Sequence, residues 1–417
     1  MSASWQVCAA CGSETPDTDP HPRCPRCRGL LEIRHPTPVQ TGNALRATFD
    51  ARAGVRRGPL ASGVWRFSEA VLPTAGAHIV TYPEGNTPLL ASAAVARWVG
   101  AGELLLKHEG HNPTGSFKDR GMTVGVTQAR RIGARAVACA STGNTAAALA
   151  AYAALGGGLP ALVIVPQGQV AAGKLAQALA YGARTLLVRG NFDECLELAD
   201  QAAERLGVYL LNSINPFRLE GQKTIVLELL QQLAWEPPDW IVLPAGNLGN
   251  TAAFGKALAE ARAWGLIDRV PRLAAVQAAG AAPFALSFRE GFTHQHRVAP
   301  HTVATAINIG NPVSYERAAR AIRETNGVVT TVSDDEILEA KAIVDGAGIG
   351  CEPASAAAPA GVRRLVREGV IHPSERVVAL LTGHLLKDPD AITRSGHANR
   401  PIEIDARLEA VEQALRT

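Results

Sequence analysis

From about Leu104 onward the chain alternates two kinds of segment. Short apolar runs read as strands at Glu103–Lys107, Ala136–Ala140, Ala161–Val165, Arg184–Val188, Tyr209–Asn212, Trp240–Leu243, Leu273–Gln277, Gly327–Val332 and Val377–Leu381. Ala- and Leu-rich stretches with helical spacing fall at Lys118–Ile132, Asn144–Leu155, Ala172–Tyr181, Asn191–Arg205, Gln222–Leu233, Thr251–Trp264, Asp334–Asp345, Glu352–Glu368 and Arg407–Ala414. Strands that are apolar throughout, rather than alternating, are buried on both faces, so this rhythm predicts parallel sheets covered by helices. Before it, the stretch from residue 35 to about Leu72 reads as irregular, with weak helical patterning. The uncharged run Ala146–Val165 has the length of a bilayer span, about 20 residues. Gly156-Gly157-Gly158-Leu159-Pro160 cuts it into a helix and a strand, so no membrane segment is expected.

Composition narrows the class. At roughly 150 residues per domain, 417 residues make two to three units. With 47% hydrophobic and 19% charged residues the chain has the material for a core and is not disordered. The 41 Lys+Arg against 38 Asp+Glu leave +3, which argues against a dedicated nucleic-acid binder. The N-terminus has neither a basic start nor an apolar run, and the seven cysteines are an odd number. A reducing, cytoplasmic setting is therefore expected.

Four of those cysteines stand as Cys8-x2-Cys11-x12-Cys24-x2-Cys27. Two such knuckles place four thiolates at the corners of a tetrahedron, which suits structural zinc and leaves no open position for catalysis. Residues 1–34 then form a zinc ribbon whose folding energy comes from the metal. Four free thiols, or iron, fit the same spacing. Arg23, Arg26 and Arg28 read as a solvated face, and His294, His296 and His301 are too irregularly spaced to suggest a second metal.

Polar turns at strand ends carry the candidate chemistry. After Asn112-Pro113-Thr114-Gly115 and the candidate N-cap Ser116, Lys118 falls in the first turn of a helix. The helix dipole disfavours a cation there, which lowers the amine pKa and suits a Schiff-base nucleophile. On position alone a solvated first-turn lysine is the better reading. Ser141-Thr142-Gly143-Asn144-Thr145 leads a strand into a helix and presents N–H groups and hydroxyls to a carboxylate or phosphate, although a plain capping turn looks the same. Gly246-Asn247-Leu248-Gly249-Asn250 is a glycine-rich turn suited to a monophosphate; it is neither a Walker loop nor a dinucleotide fingerprint. Thr382 ends the last strand with a hydroxyl that meets a ligand or merely caps the strand.

These segments together resemble a known family. In order they are Glu84-Gly-Asn-Thr-Pro88, Asn112-Pro-Thr-Gly-Ser-Phe-Lys-Asp-Arg-Gly121, Ser141-Thr-Gly-Asn-Thr145, Gly173-Lys-Leu-Ala-Gln177 and Asn212-Ser-Ile-Asn-Pro-Phe-Arg-Leu-Glu-Gly-Gln-Lys223. Gly246-Asn-Leu-Gly-Asn250, Cys351-Glu-Pro-Ala-Ser355 and Leu381-Thr-Gly-His384 follow. The chain is similar, from about Ser62 to Asp388, to pyridoxal-phosphate enzymes of the tryptophan-synthase-beta type (fold type II), and more narrowly to the threonine synthase family. The resemblance implies an α/β fold of two three-layer αβα domains with mostly parallel sheets. The large domain would take residues 35–104 and 215–417, the small mobile one residues 105–214, with the ribbon at 1–34.

The resemblance also implies roles. Lys118 would bond the pyridoxal 5'-phosphate and serve as catalytic base. Asn144 would meet the cofactor's phenolic oxygen, Gly246, Asn247, Leu248, Gly249 and Asn250 its phosphate, and Thr382 its pyridine nitrogen. The implied substrate is O-phospho-L-homoserine. Ser141, Thr142 and Thr145 would take its carboxylate, and Asn212, Ser213, Arg218, Lys223 and Asn250 its phosphate. Surface charge is the alternative for Arg218 and Lys223. A homodimer without nucleic-acid or membrane partners is expected.

Two positions depart from the family pattern: Leu385 stands where glycine is usual, and Asn308 where arginine is expected. The rival readings are a threonine or serine dehydratase, a cysteate synthase acting on phosphoserine, and a non-catalytic protein that docks through its ribbon. Dehydratases usually read Ser-x-Lys-x-Arg-Gly-Ala with a cup of glycines only. This chain has Ser116-Phe-Lys-Asp-Arg-Gly-Met122 and two asparagines in its cup.

Overall fold

The computed structural model describes residues 4–141, 143–168, 172–190, 192–394 and 402–415. Its strands, in chain order, are β1 (Trp5–Cys8), β2 (Glu14–Pro16), β3 (Leu31–Arg34), β4 (Leu89–Ala91), β5 (Glu103–His108), β6 (Ala136–Ala140), β7 (Ala161–Pro166), β8 (Arg184–Val188), β9 (Val208–Leu210), β10 (Trp240–Pro244), β11 (Arg272–Ala278), β12 (Val328–Val332) and β13 (Arg376–Leu381). They make an antiparallel ribbon β2-β1-β3, a six-stranded sheet β12-β11-β10-β13-β5-β4 and a four-stranded sheet β8-β7-β6-β9. The four-stranded sheet is parallel throughout, and the six-stranded one is parallel except for β4 on β5.

Both sheets are covered on two faces, as uniformly apolar strands require. In β10, Ile241 and Leu243 point into a core with Phe254, Ala257 and Leu258 of the helix Gly249–Ala263. Trp240 and Val242 point the other way, onto Ala354, Ala357 and Ala358 of the helix Pro353–Arg367. In β6, Val137 and Cys139 join the first of these cores, while Ala136, Ala138 and Ala140 meet Cys195 and Ala199 of the helix Phe192–Leu206. One continuous core therefore runs between the two sheets. The expected division at residue 104 falls inside β5.

All nine expected strands and nine expected helices are present, with ends moved by no more than two residues. The uncharged stretch divides as read, into the helix Asn144–Leu155 and β7. Among the described residues no helix is long and apolar enough to cross a membrane.

Three elements differ from the sequence reading. The stretch expected to be irregular contains the helix Gly42–Ala53, which buries only Leu45 and Phe49, too thin a stripe to show. Tyr315–Glu324 is helical, its period hidden by alanines and a buried Arg317. A short helix, Pro216–Gln222, precedes Thr224–Gln232; Asn215 caps it, its Oδ1 accepting from Phe217 N (3.0 Å) and Arg218 N (3.3 Å).

The ribbon packs against both sheet units. Gln128 Nε2 donates to Asp17 O (2.6 Å), and Arg131 pairs with Asp17 (3.0 Å). Arg28, in the run read as solvated, pairs with Glu204. On the other side Lys256 Nζ donates to Ile33 O (2.6 Å) and Arg317 Nη1 to Leu31 O (3.3 Å). The four ribbon sulfurs lie within 4.8 Å of one another, with Cys8–Cys27 at 3.4 Å and Cys11–Cys24 at 3.8 Å. None is in a disulfide.

Candidate active site

The helix Lys118–Arg131 begins where its leading turn is pinned to the end of β13. Phe117 N donates to Thr382 O (3.0 Å) and His384 N to Gly115 O (2.9 Å). The turn is stiffened by Asp119, which accepts from Thr114 N (2.7 Å) and from the Thr114 hydroxyl. Behind it, Arg120 is fully buried and clamps Glu109 through two hydrogen bonds, at 2.7 and 2.8 Å. Glu228 accepts from Arg120 (2.8 Å), Lys107 (2.6 Å) and Arg66 (3.0 Å). Asn86 N and Thr87 N also donate to Glu228, so the Glu84–Pro88 motif serves to hold this network.

Lys118 is half-buried, with its ammonium 4.2 Å from the centre of the Phe117 ring. Enclosure away from water, followed by repulsion from Arg218, pulls its pKa down from 10.5 to about 7; Glu352 opposes the shift. An amine in this state is a nucleophile and a base at neutral pH.

Thr382 and Asn144, expected on two edges of one cofactor ring, meet the same carboxylate. Asn144 Nδ2 donates to Glu352 (3.0 Å) and Thr382 Oγ1 to Glu352 (3.3 Å). The glycine-rich turn follows β10. Leu248 adopts a left-handed backbone (φ 63°), and the helix Gly249–Ala263 starts directly after it. Such a turn gathers N–H groups towards one point at a helix N-terminus. Side-chain oxygens of Asn250 and Thr251 are buried there without partners among the described residues. A Cβ at Gly246 would stand 3.0 Å from Ile307 Cα, so the cup admits only glycine without a shift. A 15-residue helix with the orphaned Thr251 hydroxyl, a donor, in its first turn fits a phosphate, and the neutral-leaning Lys118 fits an aldehyde. The donor set thus suits pyridoxal phosphate. Asn247 instead braces a neighbouring loop, its Oδ1 accepting from Val313 N (3.3 Å).

The substrate residues divide. Arg218 is buried; among the described residues only Nη1 has a partner, Leu211 O at 3.1 Å, and Nε and Nη2 have none. Burial lowers its pKa to about 10. Its carbonyl oxygen lies 3.1 Å from where a Gly121 Cβ would stand, one turn beyond Lys118. Ser141 and Thr145 flank Asn144 at the cleft, half-buried, and Ser141 Oγ accepts from Gly143 N (3.4 Å). Ser213 is half-buried beside Asn212. Thr142 lies outside the described residues.

Two expected phosphate ligands are occupied within the protein. Lys223 is held by Glu220 (2.6 Å) and Glu260 (2.5 Å). Asn212 uses both ends of its carboxamide on Ala140, at 2.9 and 3.0 Å. The departing residues find local explanations. Leu385 packs where a Cβ on Gly350 would clash at 2.3 Å, and Asn308 follows Ile307 beside the cup, with its buried Oδ1 unpartnered.

Sequence reasoning gave no role to Glu352, Ser355 or Lys387. Lys387 donates to Thr114 O (2.8 Å) and to Gln177, tying three separate segments at the rim. Glu352 and Ser355 fall within the Cys351–Ser355 motif, but nothing in the sequence shows that they reach Thr382.

The fold and this site define a pyridoxal-phosphate dependent enzyme of fold type II. Residues 80–383 match the family described as pyridoxal-phosphate dependent enzyme. The threonine synthase of Methanocaldococcus jannaschii is 44% identical over 416 residues, covering 99% of both chains. That of Mycobacterium leprae is 47% identical over 336 residues, covering 80% of this chain and 90% of its own. Among solved structures, threonine synthase from Escherichia coli superposes with a TM-score of 0.72 at 19% identity, over 98% of this chain and 94% of that one. Maize serine racemase gives 0.65 at 23%, over 82% and 95%. The chain belongs to the pyridoxal-phosphate dependent enzymes, and within them to the threonine synthases.

Proposed function

We propose that the protein converts O-phospho-L-homoserine and water to L-threonine and phosphate. The observation that carries this is Arg218, a buried guanidinium with two unpaired donors close enough to Lys118 to depress its pKa. An uncompensated buried cation is costly unless an anion completes it. A phosphate monoester does so with charge-assisted hydrogen bonds.

Lys118, Asn144, the turn Gly246–Asn250 and Thr382 hold the cofactor, which when bound supplies the electron sink for carbanion chemistry. Ser141, Thr142 and Thr145 receive the substrate carboxylate at the N-terminus of the helix Asn144–Leu155. Arg218, Asn250 and Ser213 receive the phosphate, with Asn212 and Lys223 shaping the pocket from behind. The neutral Lys118 amine takes the Cα proton and then moves protons at Cβ and Cγ as the C–O bond to phosphate breaks. Arg218 stabilises the departing dianion. Water adds at Cβ, Cγ ends as a methyl group, and Lys118 returns a proton to Cα.

The ribbon binds one structural zinc through Cys8, Cys11, Cys24 and Cys27. An S4 tetrahedron with Zn–S near 2.3 Å has edges of about 3.8 Å, in keeping with the sulfur spacing. We further propose a homodimer in the cytoplasm, in which the unit built on the four-stranded sheet closes as a small domain on the unit built on the six-stranded sheet.

The test supplies O-phospho-L-homoserine to the holoprotein and assays threonine and phosphate together. Equal release, abolished by Lys118→Ala, is expected. Phosphate release from phosphoserine with sulfite, and none from phosphohomoserine, would overturn the substrate.

A further inference from the structure

One acidic group in the cleft has no part in the steps above. Glu352 is 5% exposed and stands immediately before the helix Pro353–Arg367. Its backbone N–H donates to Gly383 O (3.1 Å). One carboxylate oxygen accepts from Asn144 Nδ2 at 3.0 Å, the other from Thr382 Oγ1 at 3.3 Å. Ser355, three residues on, lies 2.9 Å from Thr382 Oγ1 and accepts from Gly383 N at 2.9 Å. A Cβ on Gly383 would come within 2.5 Å of the Glu352 carboxylate, so glycine at 383 makes room for it. Asn144 follows β6 in the four-stranded sheet; Thr382 follows β13 in the six-stranded one. A single carboxylate thus spans the two units.

We propose that Glu352 is a positioning residue: it orients the Asn144 carboxamide and the Thr382 hydroxyl towards the cofactor ring and holds them at a fixed separation across the cleft. The proposal rests on reading those two residues as cofactor contacts. A carboxylate accepts and does not donate, so it selects the NH2 end of Asn144 and leaves the second N–H for a ligand oxygen. It likewise fixes the rotor of Thr382. Without Glu352, the amide can turn its oxygen to the cleft and repel a phenolate.

The test is a double-mutant cycle on affinity for pyridoxal 5'-phosphate, measured by titrating cofactor-stripped protein, with kcat and KM alongside. Glu352→Ala is expected to weaken cofactor binding about tenfold and to lower kcat at least as much, with KM for phosphohomoserine within about twofold. Glu352→Gln, which keeps one acceptor oxygen, is expected to restore part of both. In an Asn144→Ala, Thr382→Val background the effect of Glu352→Ala on affinity should vanish. Losses of the same size in both backgrounds would overturn the positioning role alone. Unchanged affinity in the Asn144→Ala, Thr382→Val protein would overturn the cofactor-contact reading and the proposal with it. If Glu352→Ala does not fold, by circular dichroism, the same cycle is run with Glu352→Gln.

Discussion

The amide of Phe117 donates to the carbonyl of Thr382 at 3.0 Å. That one backbone bond sets the lysine turn against the end of β13, so Lys118 and the Thr382 hydroxyl occupy one cleft although most of the chain separates them. It converts two capping turns, each ordinary alone, into parts of one site.

The depressed pKa of Lys118 has a direct consequence for cofactor uptake. Its amine is mostly neutral above about pH 7 and protonated below. Cofactor uptake by stripped protein should therefore fall roughly tenfold per pH unit on the acid side of that midpoint. Arg218→Met removes the repulsion and should move the midpoint upward. Stopped-flow absorbance gives the profile; a rate that does not change across this range would contradict the assignment.

Arg218 should trade stability for function. Its Nε and Nη2 are buried and unpaired, so Arg218→Met should leave the substrate-free protein as stable as before, or more stable. The same change should lower kcat/KM for phosphohomoserine about 100-fold, equivalent to about 3 kcal/mol of lost transition-state binding. Cofactor affinity should hold at a pH above the shifted Lys118 midpoint. Denaturant titration and steady-state kinetics on one preparation test both halves.

Glu228 should behave in the opposite way. Burial alone would raise its pKa, but Arg120, Lys107 and Arg66 outweigh that and hold it well below the usual carboxylate range. A depressed pKa contributes stability above the unfolded value, near 4.3, which is lost as pH falls through the folded one. Glu228→Ala leaves those cations short of a partner and should cost about 3–5 kcal/mol. A denaturation midpoint unchanged from wild type would show that the network is not needed.

The ribbon should join both units only while it is folded. Chelation or Cys24→Ser should release one zinc per chain and lower the melting temperature, because the ribbon's own core is little more than Cys8, Cys24 and Leu31. Elemental analysis with calorimetry reads both quantities. A chain without metal, or an unshifted transition after chelation, would count against the zinc site.

Much of this protein is local and was legible in the residues. Strands apolar on both faces, such as Ala136–Ala140, and helices of regular period announce a covered parallel sheet. A glycine turn before a helix announces an anion cup, and paired Cys-x-x-Cys knuckles announce four sulfurs. These follow from backbone geometry over a few residues, which the sequence specifies directly. Only the tertiary structure decided which polar groups remain free. Lys223 and Arg218 lie on one short stretch and look equally suited to a phosphate, yet Glu220 and Glu260 hold one, while the other has, among the described residues, only the Leu211 carbonyl oxygen. Glu352 gained its place through contacts with residues 144 and 382. The reason is physical: burial and pairing, which set the charge state and reach of a side chain, are properties of the packed neighbours and have no local signature.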